Sequence, residues 1–95
     1  MDQSARSLIP LEKIWLDGIS TRFAHAFVER LAYEWMVEIV NPFPIPVIDE
    51  KDVVLQISFE QNDGTVYSSI NLESYEVEEG TELTVYRFFM YQPDG

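Results

Sequence analysis

Phe23, Phe27, Leu31, Trp35 and Ile39 recur every four residues, and Ala24, Val28, Ala32, Met36 and Val40 follow one position behind. Two adjacent rows at this spacing make one broad apolar stripe on a helix, with Arg22, His25, Glu29, Arg30, Glu34 and Glu38 on the opposite face. A period of two would scatter Phe23, Phe27 and Trp35 among charges, so the spacing predicts a long helix. Ser20 is a good N-cap for it, and Ile19 before the cap is placed to staple against Phe23 or Ala24. The helix is expected to stop at Asn41, because Pro42 disfavours helical geometry in the residue before it. Upstream, Leu11, Ile14 and Trp15 also lie at helical spacing. Pro10 suits a first helical turn and Gly18 suits the position past a helix end, which predicts a short helix over 10–17. Residues 1–7 are polar and expected to fray.

The pattern changes after the long helix. Pro42, Pro44 and Pro46 alternate with Phe43, Ile45 and Val47, so 41–47 reads as an extended crossover that lies on the core. From Val53 the period is two. Val53, Leu55, Ile57 and Phe59 share one face of a strand, and QNDG follows as a tight turn with Gly64 supplying positive φ. Val66, Ser68, Ile70 and Leu72 then take one side of a second strand, with Thr65, Tyr67, Ser69 and Asn71 on the other. Tyr75 and Val77 extend that strand toward a turn at Glu79 and Gly80.

The last strand, 82–91, is apolar on both sides. Leu83, Val85, Phe89 and Tyr91 share a face with Arg87, while Thr84, Tyr86, Phe88 and Met90 take the other, a pattern expected of a strand covered on both faces. The expected fold class is α+β. It is a single domain in which a short helix and a long amphipathic helix precede a three-stranded antiparallel β-meander, with the long helix on one sheet face. One helix covers one face only, so Tyr67, Tyr86, Phe88 and Met90 become candidates for an exposed apolar patch. Residues 92–95 are expected to be disordered.

Charge changes this picture. The chain carries a formal net charge of −11 in 95 residues, yet 46% of its residues are hydrophobic, enough for a core rather than a disordered acidic tail. Residues 1–48 hold six acidic and four basic residues, and residues 49–95 hold eleven acidic and two basic. The predicted meander brings Asp49, Glu50 and Asp52 to the end of the sheet that carries Glu76, Glu78, Glu79 and Glu82. That concentration disfavours direct binding to nucleic acid or an anionic membrane and favours a basic protein partner. Tyrosines among carboxylates suit arginine, because Tyr stacks on guanidinium and carboxylate pairs with it.

Catalytic equipment is sparse. The chain has no cysteine, which excludes a disulfide framework, a thiolate metal site and a Cys nucleophile. His25 is the single histidine and sits four residues from Glu29, the spacing of a surface pair, and no nucleophilic triad can be assembled. The carboxylates lack calcium-loop spacing, and the glycines stand singly at turns, so no metal or cofactor is expected. The N-terminus lacks a basic start followed by an apolar run, and no apolar stretch reaches the ~18 residues of a membrane span, so a cytosolic setting is expected.

The expectation is a small, non-enzymatic acidic inhibitor that blocks a basic nucleic-acid enzyme or a toxin by occupancy. Inhibitors of anti-CRISPR or anti-restriction type and toxin-immunity proteins fit this description, as does nucleic-acid mimicry. The candidate contact residues are Asp49, Glu50, Asp52, Glu76, Glu78, Glu79 and Glu82, with Tyr67, Tyr86 and Phe88 as aromatic anchors. The alternative is a non-enzymatic structural or assembly subunit that oligomerises through its last strand, as a homodimer or docked in a larger assembly.

Overall fold

The computed structural model describes residues 8–44 and 56–91, which form seven strands and no helix. They are β1 (Leu8–Leu16), β2 (Ile19–Thr21), β3 (His25–Arg30), β4 (Glu34–Val40), β5 (Gln56–Gln61), β6 (Val66–Glu79) and β7 (Thr84–Tyr91). Six of them close an antiparallel barrel in the order β1-β3-β4-β7-β6-β5, with β5 pairing back onto β1. β2 adds to β1 outside the ring. The α+β expectation is therefore corrected to an all-β barrel. It consists of two three-stranded meanders, β1-β3-β4 and β5-β6-β7, joined at the β4–β7 and β1–β5 seams. The expected frayed ends 1–7 and 92–95 and the crossover residues Ile45, Pro46 and Val47 lie outside the described residues, as do Val53 and Leu55.

The long helix is replaced by the β3–β4 hairpin, and the reason lies in parity. Positions four apart are also positions two apart taken every second time, so the two apolar rows fit two strands apolar on both faces. In β3 the even positions Ala26 and Val28 point inward; in β4 the odd positions Trp35, Val37 and Ile39 do. The turn at Leu31, Ala32 and Tyr33 makes the switch, closed by the Leu31 amide donating to the Glu34 carbonyl at 2.8 Å. Charges do fall among the aromatics, and two of them have partners that make this tolerable. Arg30 lies over the Trp35 ring at 4.7 Å and donates to Gln61 Oε1 at 3.2 Å, while Glu38 accepts from Arg87.

A bulge explains the second false helix. β1 pairs with β5 through Leu11↔Gln61 and then Lys13↔Glu60, which leaves Glu12 as the extra residue. That insertion turns the two-residue spacing of a strand into the three-residue spacing of Leu11 and Ile14, both buried, before Leu16 resumes the alternation. Gly18 ends no helix. Asp17 (φ 50) and Gly18 (φ 83) form the two-residue turn between β1 and β2, a geometry that requires positive φ at both positions. Nothing lies within 4 Å of a Cβ built on Gly18, so a substitution there meets only backbone strain. Gly18→Val is expected to destabilise the fold by roughly 1–2 kcal/mol in urea unfolding; an unchanged midpoint would contradict the turn geometry.

The barrel interior is mainly apolar, with Gln61 and Thr21 as buried polar residues. Ile14, Leu16, Val28, Val37, Ile39, Ile57, Phe59, Phe88 and Met90 are fully buried. β6 is long enough to serve both meanders, pairing with β5 through Val66–Asn71 and with β7 through Leu72–Glu79. Ser69, at φ 55, makes a bulge that shifts the inward set, so Tyr67 packs against Trp35 and Phe59 before Ile70 and Leu72 take over. The proposed pairing of Val66 and Ser68 with Ile70 and Leu72 on one face is corrected accordingly. In β7 the inward face is Tyr86, Phe88 and Met90, so the proposed exposed patch is instead the barrel core. The barrel's own strands cover β7, where a single helix was expected to cover half of it.

At the β5–β6 turn, Asp63 accepts from the Thr65 amide at 2.9 Å and from Gln61 Nε2 at 3.3 Å. The bond from Thr65, above all, holds its carboxyl below the usual range. A depressed folded-state value adds stability that is present above the unfolded carboxyl range and lost as pH falls through the folded one. Asp63→Asn is expected to flatten the acid limb of the stability profile below about pH 4, measured by urea midpoints across pH. An acid limb identical to that of the parent protein would contradict this.

Candidate protein-interaction surface

The acidic surface is built on the β6–β7 hairpin. Residues 72–91 contain five carboxylates (Glu73, Glu76, Glu78, Glu79 and Glu82) and one cation, Arg87. A register shift between Leu72 and Ser74 moves the inward positions of β6 from even to odd, which places Tyr75 toward the core and Glu76 and Glu78 outward. Register then aligns Glu38, Arg87 and Glu76 across three neighbouring strands on the outer face. Arg87 Nε donates to Glu38 Oε1 at 3.0 Å and Nη2 donates to Glu78 Oε1 at 2.9 Å, with Glu76 Oε1 4.0 Å from Nη1. Three carboxylates surround one guanidinium, so the cluster keeps excess negative charge. The hydrogen bond to Glu78, followed by that to Glu38, raises the Arg87 pKa further above its usual value. The side chains of Glu76 and Glu78 remain 65% and 67% exposed, so both are accessible to a second cation.

Glu79 ends β6 and Glu82 lies in the turn that follows, both exposed. The turn is fastened at its base. Thr84 donates its amide to Asn41 Oδ1 at 2.8 Å, the Asn41 amide donates to the Thr84 carbonyl at 2.8 Å, and the Gly80 amide bonds the Leu83 carbonyl at 2.7 Å. Exposed Val77 and Leu83 supply apolar area beside these carboxylates. At the other end of the hairpin Glu73 accepts from the Tyr91 hydroxyl, which is the main cause of that phenol's raised pKa.

Of the residues expected from sequence, Glu76, Glu78, Glu79 and Glu82 are thus gathered on one exposed hairpin. The aromatic anchors are placed differently. Phe88 is fully buried and offers nothing to a partner. Tyr86 is half-buried in a stack with Tyr75 and Phe88, at centroid distances of 6.5 and 5.9 Å. Burial first, then Tyr75 and Glu79, pushes its phenol pKa up. Tyr67 lies near the start of β6 against Trp35, away from Glu79. Asp49, Glu50 and Asp52 lie outside the described residues. Sequence reading missed Glu38, Glu73 and Arg87; the signal for Arg87 was its place as the one charge on an otherwise apolar strand face.

β7 is hydrogen-bonded along both edges, to β4 and to β6, so the edge pairing expected of a homodimer through the last strand has no free edge to use. Among the described residues no group of His, Asp or Glu is arranged to hold a metal ion, and no helix is long and apolar enough to cross a membrane. No family model matches the chain, and comparison with curated proteins and with solved structures finds no match for it.

Proposed function

We propose that this chain is a non-enzymatic binding protein that engages a basic protein through its β6–β7 hairpin and covers a surface that the partner offers to nucleic acid. The observation that supports this reading is the clasp on Arg87. The hairpin already holds one guanidinium between Glu38, Glu76 and Glu78 and leaves the outer two carboxylates, with Glu79 and Glu82, open to solvent. A partner's arginines would meet the same chemistry, with Val77 and Leu83 as the apolar contact beside it. The net charge of −11 would speed encounter with such a surface at low ionic strength. The expected setting is the cytosol, where a chain without cysteine needs no oxidising compartment.

Capture from a cell lysate with the tagged full chain, at low and at high salt, tests this. The expected result is a basic nucleic-acid-binding protein retained at low salt, released at high salt and displaced by competing DNA or RNA. Retention that is indifferent to salt and to nucleic acid would overturn the reading.

A further inference from the structure

A groove on the opposite meander has the reverse character of the hairpin. β1 changes partners along one edge, pairing with β3 through Leu8–Pro10 and with β2 through Ile14–Leu16. β1, β2 and the two residues after β2 line a groove of about 580 Å³. Its lining includes Lys13, Trp15, Ser20, Arg22 and Phe23, with Glu12 the one carboxylate among the lining residues. That volume is in the range of small-molecule sites.

The cations are distributed unevenly. Among the described residues there are four Lys or Arg side chains. Arg87 is held by glutamates, and Arg30 is bonded to Gln61 and stacked on Trp35. The other two, Lys13 and Arg22, both line this groove. Continuing the Ile14↔Thr21 register by one step sets them opposite each other across β1 and β2. Lys13 also faces Glu60 across β5, yet among the described residues neither Lys13 nor Arg22 has a carboxylate within ion-pair distance. The Arg22 guanidinium carbon lies 5.7 Å from the Phe43 ring centroid, and two backbone hydrogen bonds at 2.7 and 2.8 Å fasten the two residues side by side. Two adjacent like charges repel, and an anion between them removes that repulsion. Half-buried Trp15 offers flat apolar surface beside the charges, and Phe23, packed in part against the core, lines the same groove.

We propose that this groove binds a small organic anion, a phosphate or carboxylate group carried on a flat ring. Lys13 and Arg22 take the charged head, with a hydrogen bond from the Ser20 hydroxyl, and Trp15 and Phe23 take the ring. The site is independent of the hairpin and stands or falls separately from it.

Two-dimensional NMR titration of the full chain tests it, with adenosine monophosphate and 2-naphthoate as the anionic probes and adenosine as the uncharged one. The expected result is saturable movement of the Trp15 indole N–H and the Ser20–Phe23 amides with at least one anion and not with adenosine. Lys13→Glu with Arg22→Glu is expected to weaken that binding at least about tenfold, which corresponds to 1.4 kcal/mol, while signals of β4 and β7 stay in place. The milder pair Lys13→Gln and Arg22→Gln serves if the reversed pair does not fold. No movement with either anion, equal movement with adenosine, or undiminished binding by a folded double variant would overturn the proposal.

Discussion

Phe88→Ala is expected to destabilise the protein by about 3–5 kcal/mol, a large part of the stability of a domain this size. Phe88 is fully buried on β7, cross-strand from Val37 on one side and Tyr75 on the other, and it stacks with Tyr75 and Tyr86 at 5.8 and 5.9 Å. Truncation removes the ring from the middle of a closed barrel, whose strands are tied on both sides and cannot collapse into the space. Tyr91, three residues on and 71% exposed, provides the comparison. Tyr91→Ala should remain within about 0.5 kcal/mol. Urea unfolding of both variants checks this pair of values. A Phe88→Ala loss no larger than that of Tyr91→Ala would place Phe88 on the surface, where a sheet covered by a single helix would have put it.

Reversing Glu78, Glu79 and Glu82 together to lysine is expected to slow association with the captured basic partner at low salt by at least about tenfold. The change takes the net charge from −11 to −5, since each reversal adds two charges. It also converts the exposed face of the hairpin from negative to positive. Glu78 holds Arg87 at 2.9 Å, so a lysine there places two cations together and loosens the hairpin as well as the surface. Glu79→Lys with Glu82→Lys avoids that, because neither residue touches Arg87. The smaller variant separates lost recognition from lost structure. Surface plasmon resonance at two salt concentrations measures both. An association rate unchanged by either variant would remove the hairpin from the interface.

The parts of the fold legible in the sequence were those carrying turn chemistry. Asn62-Asp63-Gly64 marks the β5–β6 turn, and Gly64 has the expected positive φ of 94°. The extension of β6 through Tyr75 and Val77 was also expected, although register shifts at Ser69 and after Leu72 reset the alternation that suggested it. The β3–β4 hairpin was hidden because its turn is Leu31-Ala32-Tyr33, with no Gly, Pro, Asn or Asp to announce it. A two-faced strand, a silent turn and a second two-faced strand give the same four-residue recurrence as a helix. Residue type pointed the other way. Trp35, Val37, Ile39 and Val40 are residues of high strand propensity, and that composition was the signal to weigh against the spacing. In β1 the bulge at Glu12 mimicked helical spacing, while Asp17-Gly18, a strong hairpin signal, was read as a helix end.

The candidate surface was legible to the extent that it depends on local charge. Glu76, Glu78, Glu79 and Glu82 are close in sequence and remain together in the fold. Partners that come from other strands were not legible. Glu38 reaches Arg87 only because β4 and β7 are neighbours, and that neighbourhood exists only once the chain from Ser20 to Val40 is folded as a hairpin. The same error put Phe88 outside, since a sheet with a helix on one face has an open side and a barrel does not.

The most direct test of this account is a set of nuclear Overhauser contacts from the labelled full chain. The account predicts cross-strand contacts between Val28 and Val37 and between Ile14 and Phe59, the second marking the seam where β1 meets β5 and the barrel closes. Contacts between residues three apart running unbroken from Phe23 to Ile39, with neither cross-strand pair present, would restore the helix. They would also remove the frame that holds Glu38, Arg87 and the acidic hairpin together.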